Sequence, residues 1–137
     1  MIGLNNLAMC AVVMNEPMRA RDMLLESLSF SEELGSRRGR LVVMEVCAGL
    51  AATLEQWALT ARFDAATDIH TKQMGRRRDA PDAAFLAPQV EQAKPTLGPE
   101  TYAATIAAGR ALSYDNAIAE MTAQLRSLKN NFILKVT

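Results

Sequence analysis

The stretch LNNLAMCAVVMNEPMRARDMLLESLSFSEELGSRR, residues 4–38, decides the fold because a weaker copy of it follows in the chain. A shift of 41 positions superposes the small and apolar residues of the two copies, and a shift of 40 superposes their basic ends. The alignment predicts that the second copy is one residue shorter, between residues 69 and 75. The superposed pairs are Leu7-Ala8 with Ala48-Gly49, Ala20-Arg21 with Ala61-Arg62, Leu24 with Ala65, Leu28 with Ile69, and Gly35-Ser36-Arg37-Arg38 with Gly75-Arg76-Arg77-Arg78.

Each copy predicts two helices joined by a tight turn, over residues 2–14, 17–34, 40–54 and 57–74. Pro17 suits the first turn of a helix, and Gly35 suits the position just after the end of one. The small and apolar residues recur at the spacing of one helical face. Those expected to face inward are Leu4, Leu7, Ala8 and Ala11, then Ala20, Leu24, Leu28 and Phe30, then Leu41, Ala48, Gly49 and Ala52, and finally Ala61, Ala65 and Ile69.

The repeat stops near residue 81, and three further helices are expected to cap the two hairpins. Two prolines predict that the first, over residues 83–97, is short or kinked, with a break near Pro88 and an end near Pro95. The second is expected over residues 99–108, ended by Gly109, and the third runs from an N-cap at Ser113 to about residue 129. For the apolar tail, residues 132–136, docking on a helix and an edge segment remain alternatives.

Composition favours a close-packed helical domain. Hydrophobic residues make up 50% of the 137 residues but aromatic residues only 5%, and Ala and Leu are strong helix formers. The expected fold is all-α, one domain over residues 1–137. It is a right-handed solenoid of two hairpins, residues 1–36 and 37–76, with a helical cap over residues 82–129 and a tail over residues 130–137.

Charge and hydropathy exclude several classes of partner. The formal net charge is +0, so no strong overall field attracts DNA or an anionic membrane, and we expect neither as a direct partner. The longest apolar run, residues 7–14, is far shorter than the about 20 residues that span a bilayer. The first four residues lack the basic start of a signal peptide, so the expected compartment is the cytoplasm.

The pairs Ala8 with Ala20 and Gly49 with Ala61 resemble the tetratricopeptide repeat, which places a small residue on its first helix and an alanine twelve positions later. The chain departs from the family at Ala65, where a larger apolar residue is expected, and in its period of 40 to 41 residues instead of about 34. Neither copy carries the family's early tryptophan. The resemblance implies a tetratricopeptide-like solenoid with a groove for a protein partner.

The segment LGPETYAATIAAGRALS, residues 97–113, resembles the C-terminal signature of large bacterial ATPase-coupled transcriptional regulators of the LuxR and related types. Tyr102 matches the aromatic residue of that pattern, and Gly109-Arg110 and Leu112-Ser113 match its later pairs, whereas Ile106 stands where tryptophan is frequent. The resemblance implies a detached C-terminal piece of such a regulator. Its function would be a non-enzymatic protein-interaction or effector-sensing module, because the sequence has no phosphate-binding loop and no clear helix-turn-helix.

Two sets of residues are candidate interaction sites. Stacked hairpins expose a concave face on their first helices, and the predicted partner-binding residues there are Asn5, Met9, Val46 and Leu50. A first hairpin without a neighbour would instead associate with itself, forming a homodimer through Leu4, Leu7 and Met14. A small ligand or a nucleotide is a third alternative.

The basic clusters that follow the second and fourth helices are candidates for an anion site. Stacked repeats would bring them to one edge, where guanidinium groups bind phosphate strongly. The alternative is that they only complement the C-terminal ends of the helix dipoles. The residues are Arg37, Arg38 and Arg40 with Arg76, Arg77 and Arg78.

The remaining reactive side chains do not predict an enzyme. Cys10, Cys47 and the single histidine, His70, cannot by themselves complete a four-ligand zinc site, so neither a metal nor a cofactor is expected. We expect both cysteines to be free, buried thiols and His70 to be a solvated or interface residue.

Overall fold

The computed structural model describes the backbone of residues 2–136 and the side chains of residues 3–128. Within residues 2–136 there is no β-strand, so the predicted all-α class is confirmed. The helices are α1 (Ile2–Val13), α2 (Pro17–Glu33), α3 (Arg37–Thr53), α4 (Trp57–Gln73), α5 (Ala80–Leu97), α6 (Pro99–Ala111) and α7 (Tyr114–Val136).

The two hairpins repeat with a constant offset of 40 residues, which corrects the predicted shift of 41. Helices α2 and α4 both have 17 residues, and their first residues are Pro17 and Trp57. The turns contain left-handed residues at Asn15 and Glu55, both with φ 58°, and the hairpins end on Gly35 and Gly75 with φ 63° and 70°. No residue is therefore missing from the second copy. The predicted shift of 41 arose from alanines on α4, a helix that is buried on more than one side.

Backbone hydrogen bonds show why each helix ends where it does. The amide of Glu16 donates to the carbonyl of Ala11 at 2.8 Å, and that of Gln56 donates to Ala51 at 2.8 Å. These bonds span five residues and close the last turn around a left-handed residue, as in a Schellman motif. The same pattern recurs after α2 and α4, so one local geometry sets both hairpins.

Helix α3 lies at the centre of the molecule. It packs against α1, α2, α4, α5 and α7, and every residue from 43 to 52 is buried. Its N-terminus begins at Arg37, three residues before the predicted start, because the Ser36 hydroxyl accepts a hydrogen bond from the Gly39 amide at 2.9 Å. The predicted inward residues of this helix, Leu41, Ala48, Gly49 and Ala52, are all buried.

Helix α5 is continuous, so the predicted break at Pro88 and end at Pro95 are wrong. Both prolines are exposed, and so are Ala84 and Glu91, whose carbonyls would have accepted the missing amide protons. Carbonyls on the exposed side of a helix can bond to water instead, which makes an interior proline tolerable.

Helices α6 and α7 also extend beyond their predicted ends. Gly109 lies inside α6, not after it, because the α6 backbone approaches the Arg62 carbonyl of α4 closely. The predicted cap of α7 is confirmed, since the Ser113 hydroxyl accepts from the Asn116 amide at 3.1 Å. Helix α7 continues to Val136, so the edge-segment alternative is wrong, and any docking of the tail side chains lies outside the described residues.

An ion pair and an amide hydrogen bond hold α7 against α4 and the turn before it. The Arg62 guanidinium donates to both carboxylate oxygens of Glu120 at 2.8 and 2.7 Å, and the Gln124 amide donates to the Gln56 side chain at 2.7 Å. The buried side of α7 carries Ala117, Met121, Leu125 and Leu128.

Gly109→Ala should destabilise the fold, because a Cβ there would overlap the Arg62 carbonyl oxygen, a backbone atom that cannot turn away. We expect a loss of about 1–3 kcal/mol in urea unfolding. The matched control is Gly3→Ala, another helical glycine, whose Cβ would meet no atom within 4 Å. The control should be neutral or more stable by up to about 1 kcal/mol. Equal effects of the two substitutions would contradict the close approach of α6 to α4.

Candidate functional site

Exposed large apolar side chains are concentrated on the first hairpin. Every such side chain among residues 3–128 lies on α1, on α2 or in a residue that follows one of them. Scattered apolar residues are ordinary on a protein surface, whereas a cluster on one element marks a contact surface. The residues are Leu7 at 53% exposure, Val13 at 75%, Met14 at 66%, Phe30 at 42% and Leu34 at 70%. Leu7 and Phe30 were expected to face inward, and both predictions are wrong.

Helix α1 is apolar on two opposite sides, and residues 2–15 include no charged residue. One side is buried and carries Ala8, Ala11 and Val12. A helix that is hydrophobic all round normally lies inside a protein, with all of its sides covered. The opposite, exposed side consists of Gly3, Leu7, Cys10 and Met14, which we call the α1 stripe. Cys10 was predicted to be buried and is exposed, whereas burial raises the pKa of the Cys47 thiol.

The counterpart of the α1 stripe in the second hairpin is covered. At the 40-residue offset its members correspond to Val43, Cys47, Leu50 and Leu54 of α3 and the turn after it. The first three are buried and Leu54 packs against the core. Leu125 and Leu128 of α7 lie beside this counterpart. The same helical position is thus closed in the second hairpin and open in the first.

The predicted concave-face residues do not form an accessible surface. Val46 and Leu50 are buried in α3, and Met9 packs partly buried against the core. Asn5 is also buried, and its side-chain oxygen accepts a hydrogen bond from the Ser27 hydroxyl at 2.8 Å. Helices α5 and α7 contact α3, so the space expected for a partner at Val46 and Leu50 is filled from within the chain.

The predicted self-association residues are more exposed than the predicted concave-face residues. Leu7 and Met14 are exposed on the α1 stripe, and Leu4 is half-buried beside it. The open positions of α1 are identifiable from the sequence only after the correct repeat offset is known, because that offset shows which α3 positions they correspond to.

The predicted anion-binding arginines are mostly engaged within the protein. The Arg37 guanidinium lies 3.9 Å from the ring centroid of Tyr114, and Arg38 forms an ion pair with Asp79 at 2.6 Å. Arg76 and Arg77 are exposed in the loop before α5. Arg38 of the first cluster nevertheless lies with Arg77 and Arg78 of the second around one small pocket, and three acidic side chains line the same pocket, so this edge carries mixed charge.

Arg78 joins three parts of the fold. Its guanidinium donates to the Glu45 carboxylate of α3 at 3.2 Å and to the Asp64 carboxylate of α4 at 2.8 Å. A third bond, 2.7 Å long, goes to the Thr67 hydroxyl. Because these partners are buried or half-buried, Arg78 fixes the loop against both helices and has little capacity left for a ligand.

A second acid lies beside Glu45 at the start of α5. Asp82 is buried, and its carboxyl is within hydrogen-bonding reach of Glu45. Glu45 Oε2 is buried without any donor, so this contact forms only when one of the two carboxyls carries a proton. Burial raises the pKa of Glu45 to about 8, opposed in part by Arg78. Burial, together with Asp79, also raises the pKa of Asp82.

An open cleft of about 570 Å³ adjoins this carboxyl pair. It lies between α1 and the first turns of α3 and α5, and polar groups of both signs line it. The lining includes Asn5, Asn6, Ser36, Arg38, Asp79 and Asp82. Its size suits a small molecule. Because basic and acidic side chains both line it, the cleft does not favour a simple anion.

His70 is buried between α4 and the turn before α7, so the solvated one of its two expected environments is wrong. Its Nε2 lies 2.8 Å from the Leu112 carbonyl oxygen and its Nδ1 lies 3.1 Å from the Gln73 side-chain oxygen. A carbonyl oxygen only accepts, so Nε2 carries a proton and donates to Leu112. The ring also meets Tyr114 edge-on at 6.0 Å between centroids. These contacts give His70 a structural role at the α4–α7 junction.

Comparison with known protein families, with characterised proteins and with solved structures finds no match to this chain. Among the described residues, no helix is long and apolar enough to cross a membrane. Within the same residues, no group of three or more histidine, cysteine or acidic side chains is placed to hold a metal ion.

Arg78→Ala should destabilise the protein by about 3–5 kcal/mol, because it leaves the buried Glu45 and the half-buried Asp64 without their cation. Arg76→Ala removes an exposed arginine from the same loop and should change the free energy of unfolding by less than about 0.5 kcal/mol. Chemical unfolding of both variants measures the difference. Similar values for the two would show that Arg78 does not join the helices.

Glu45 should make stability depend on pH. Because its pKa rises from 4.5 to about 8 on folding, the folded protein retains a proton that the unfolded chain has already lost. That contribution is complete below the unfolded pKa and is lost as the pH rises through the folded pKa. Glu45→Gln, which mimics the protonated acid, should therefore gain stability relative to the parent between about pH 5 and about pH 8, by a few kcal/mol.

The control for this titration is Glu26→Gln, which changes an exposed acid on α2. Its stability difference from the parent should stay constant over the same pH range. A Glu45→Gln difference that is equally constant would mean that Glu45 is already ionised in the folded protein at low pH.

Proposed function

We propose that the chain is a non-enzymatic protein-interaction module that docks a helical partner on the α1 stripe. The observation that carries the proposal is the uncovered apolar side of an uncharged helix, whose counterpart in α3 is buried. Apolar surface of this kind gains free energy when it leaves water, at about 25 cal/mol per Å². A helix is the partner that best fits a straight apolar stripe of this length.

The arrangement of the hairpins supports the prediction of a tetratricopeptide-like solenoid. Helices α1 to α4 are two hairpins with one offset and one turn geometry, and α2 and α1 both pack on α3. Arrays of this kind bury each repeat against its neighbours, and the apolar exposed side of α1 is suited to such a contact. We propose that the array is the C-terminal part of a bacterial transcriptional regulator, on the sequence resemblance of residues 97–113.

Site-specific photocrosslinking in cells tests the docking surface. A benzoylphenylalanine in place of Leu7 or Met14, both exposed on the α1 stripe, should crosslink to a protein chain that mass spectrometry identifies. The same probe in place of Ala103 or Ala119, exposed on α6 and α7, is the matched control and should give little product. A crosslinking yield that is no higher at α1 than at the control sites would contradict the proposal.

A second candidate is the binding of a small effector in the cleft, supported by its volume of about 570 Å³ and by its polar groups of both signs. Thermal unfolding measured against a panel of zwitterionic metabolites tests it, since a ligand that binds only the folded state raises the unfolding temperature. Val42→Trp would fill the cleft from α3 and should abolish such a shift. A shift that survives in the Val42→Trp variant would place the ligand elsewhere.

A further inference from the structure

The α1 stripe has the spacing of a coiled-coil contact. Gly3, Leu7, Cys10 and Met14 follow one another at steps of four, three and four residues. These are the steps of the a and d positions of a heptad, which face a single partner helix. Large residues occupy one class of position, Leu7 and Met14, and small residues occupy the other, Gly3 and Cys10.

The stripe is complementary to its own reversed copy. When two such helices lie antiparallel, their order is inverted, so Gly3 of one faces Met14 of the other, and Leu7 faces Cys10. Each layer then combines one large and one small side chain, which is the pairing that fills space without overlap. A parallel arrangement would instead place Gly3 against Gly3 and Met14 against Met14, with unequal layers.

Charge does not oppose such a pairing. Residues 2–15 include no acidic or basic residue, and Asn6 and Val13 flank the stripe on the exposed side. Two copies of α1 therefore meet without like charges, which would otherwise weaken self-association. A strongly charged partner would find no complementary group on this helix.

We propose that the partner of the α1 stripe is a second copy of this chain, bound antiparallel about a two-fold axis between residues 8 and 9. The inference rests on the proposed interaction function and names its partner. The contact is isologous, so every stripe residue contributes twice. Because a single short helix from each copy forms it, the interface is at the small end of specific interfaces, and we expect a dissociation constant in the micromolar range.

Sedimentation equilibrium of purified chains tests the self-association. The parent should be largely dimeric at a concentration on the order of 100 µM. Leu7→Lys or Met14→Lys should raise the dissociation constant at least about tenfold. Leu34→Lys changes an equally exposed apolar residue outside the stripe and should leave the dissociation constant unchanged. Circular dichroism and unfolding curves show whether each variant retains the fold; because all three positions are exposed, it should.

Mixed crosslinking tests the register. A Leu7→Cys/Cys10→Ser chain should form an intermolecular crosslink with the parent, through a short bismaleimide, faster than either chain does with itself. The reason is that position 7 faces position 10 across the axis, whereas like positions are displaced along it. A Ser29→Cys/Cys10→Ser chain, with its thiol at an exposed α2 position, is the control and should react with the parent at the background rate.

The outcomes separate the two proposals. A monomeric parent at that concentration, or a dimer that Leu34→Lys weakens as much as Leu7→Lys does, would overturn the antiparallel pairing. If photocrosslinks from position 7 then identify a different protein, the interaction function stands with another partner. A monomer that also gives no crosslink above the controls would refute both.

Discussion

Burial of α3 on all its sides is the constraint on which the rest of the structure depends. Ten consecutive residues, 43–52, are buried, so the stability of this helix depends on the helices packed around it. Helices α1 and α2 cover it from one hairpin, α4 from its own, and α5 and α7 from the cap. Apolar burial supplies most of the driving force for folding, and here it makes the cap part of the core.

The two hairpins have different buried polar contacts at equivalent positions. In the first, the buried Asn5 accepts a hydrogen bond from Ser27 across α1 and α2. At the 40-residue offset their counterparts are Glu45 and Thr67, and Arg78 bonds to both. A neutral pair is complete by itself, whereas a buried carboxyl requires a cation or a proton. The loop before α5 supplies the cation, and Asp82 shares the proton, so the second hairpin is tied to the cap electrostatically.

These differences explain why the two ends of the hairpin pair have different capacities for interaction. The second hairpin is closed by α5, α6 and α7, and Arg78 binds acidic groups of both its helices. The first hairpin keeps one apolar side of α1 in contact with solvent, next to a cleft bordered by Arg38 and Asp79. Both candidate sites therefore lie on the first hairpin and its border with α3, and the cleft also adjoins the first turn of α5 through Asp79 and Asp82.

The sequence by itself determined the local structure: turn residues such as Pro17, Gly35 and Ser113 fix helix ends through short-range hydrogen bonds. It also determined that α1 is uncharged and that Leu7 and Met14 are apolar. Only the tertiary structure decided which helix sides are covered, because burial depends on distant segments: α7 packs beside Leu50, and Arg78 reaches Glu45 from 33 residues away. The tertiary structure also decided that α5 is continuous, because a local pattern does not show that its prolines face water. It decided the repeat offset as well, because a local pattern does not show that α4 is buried on more than one side.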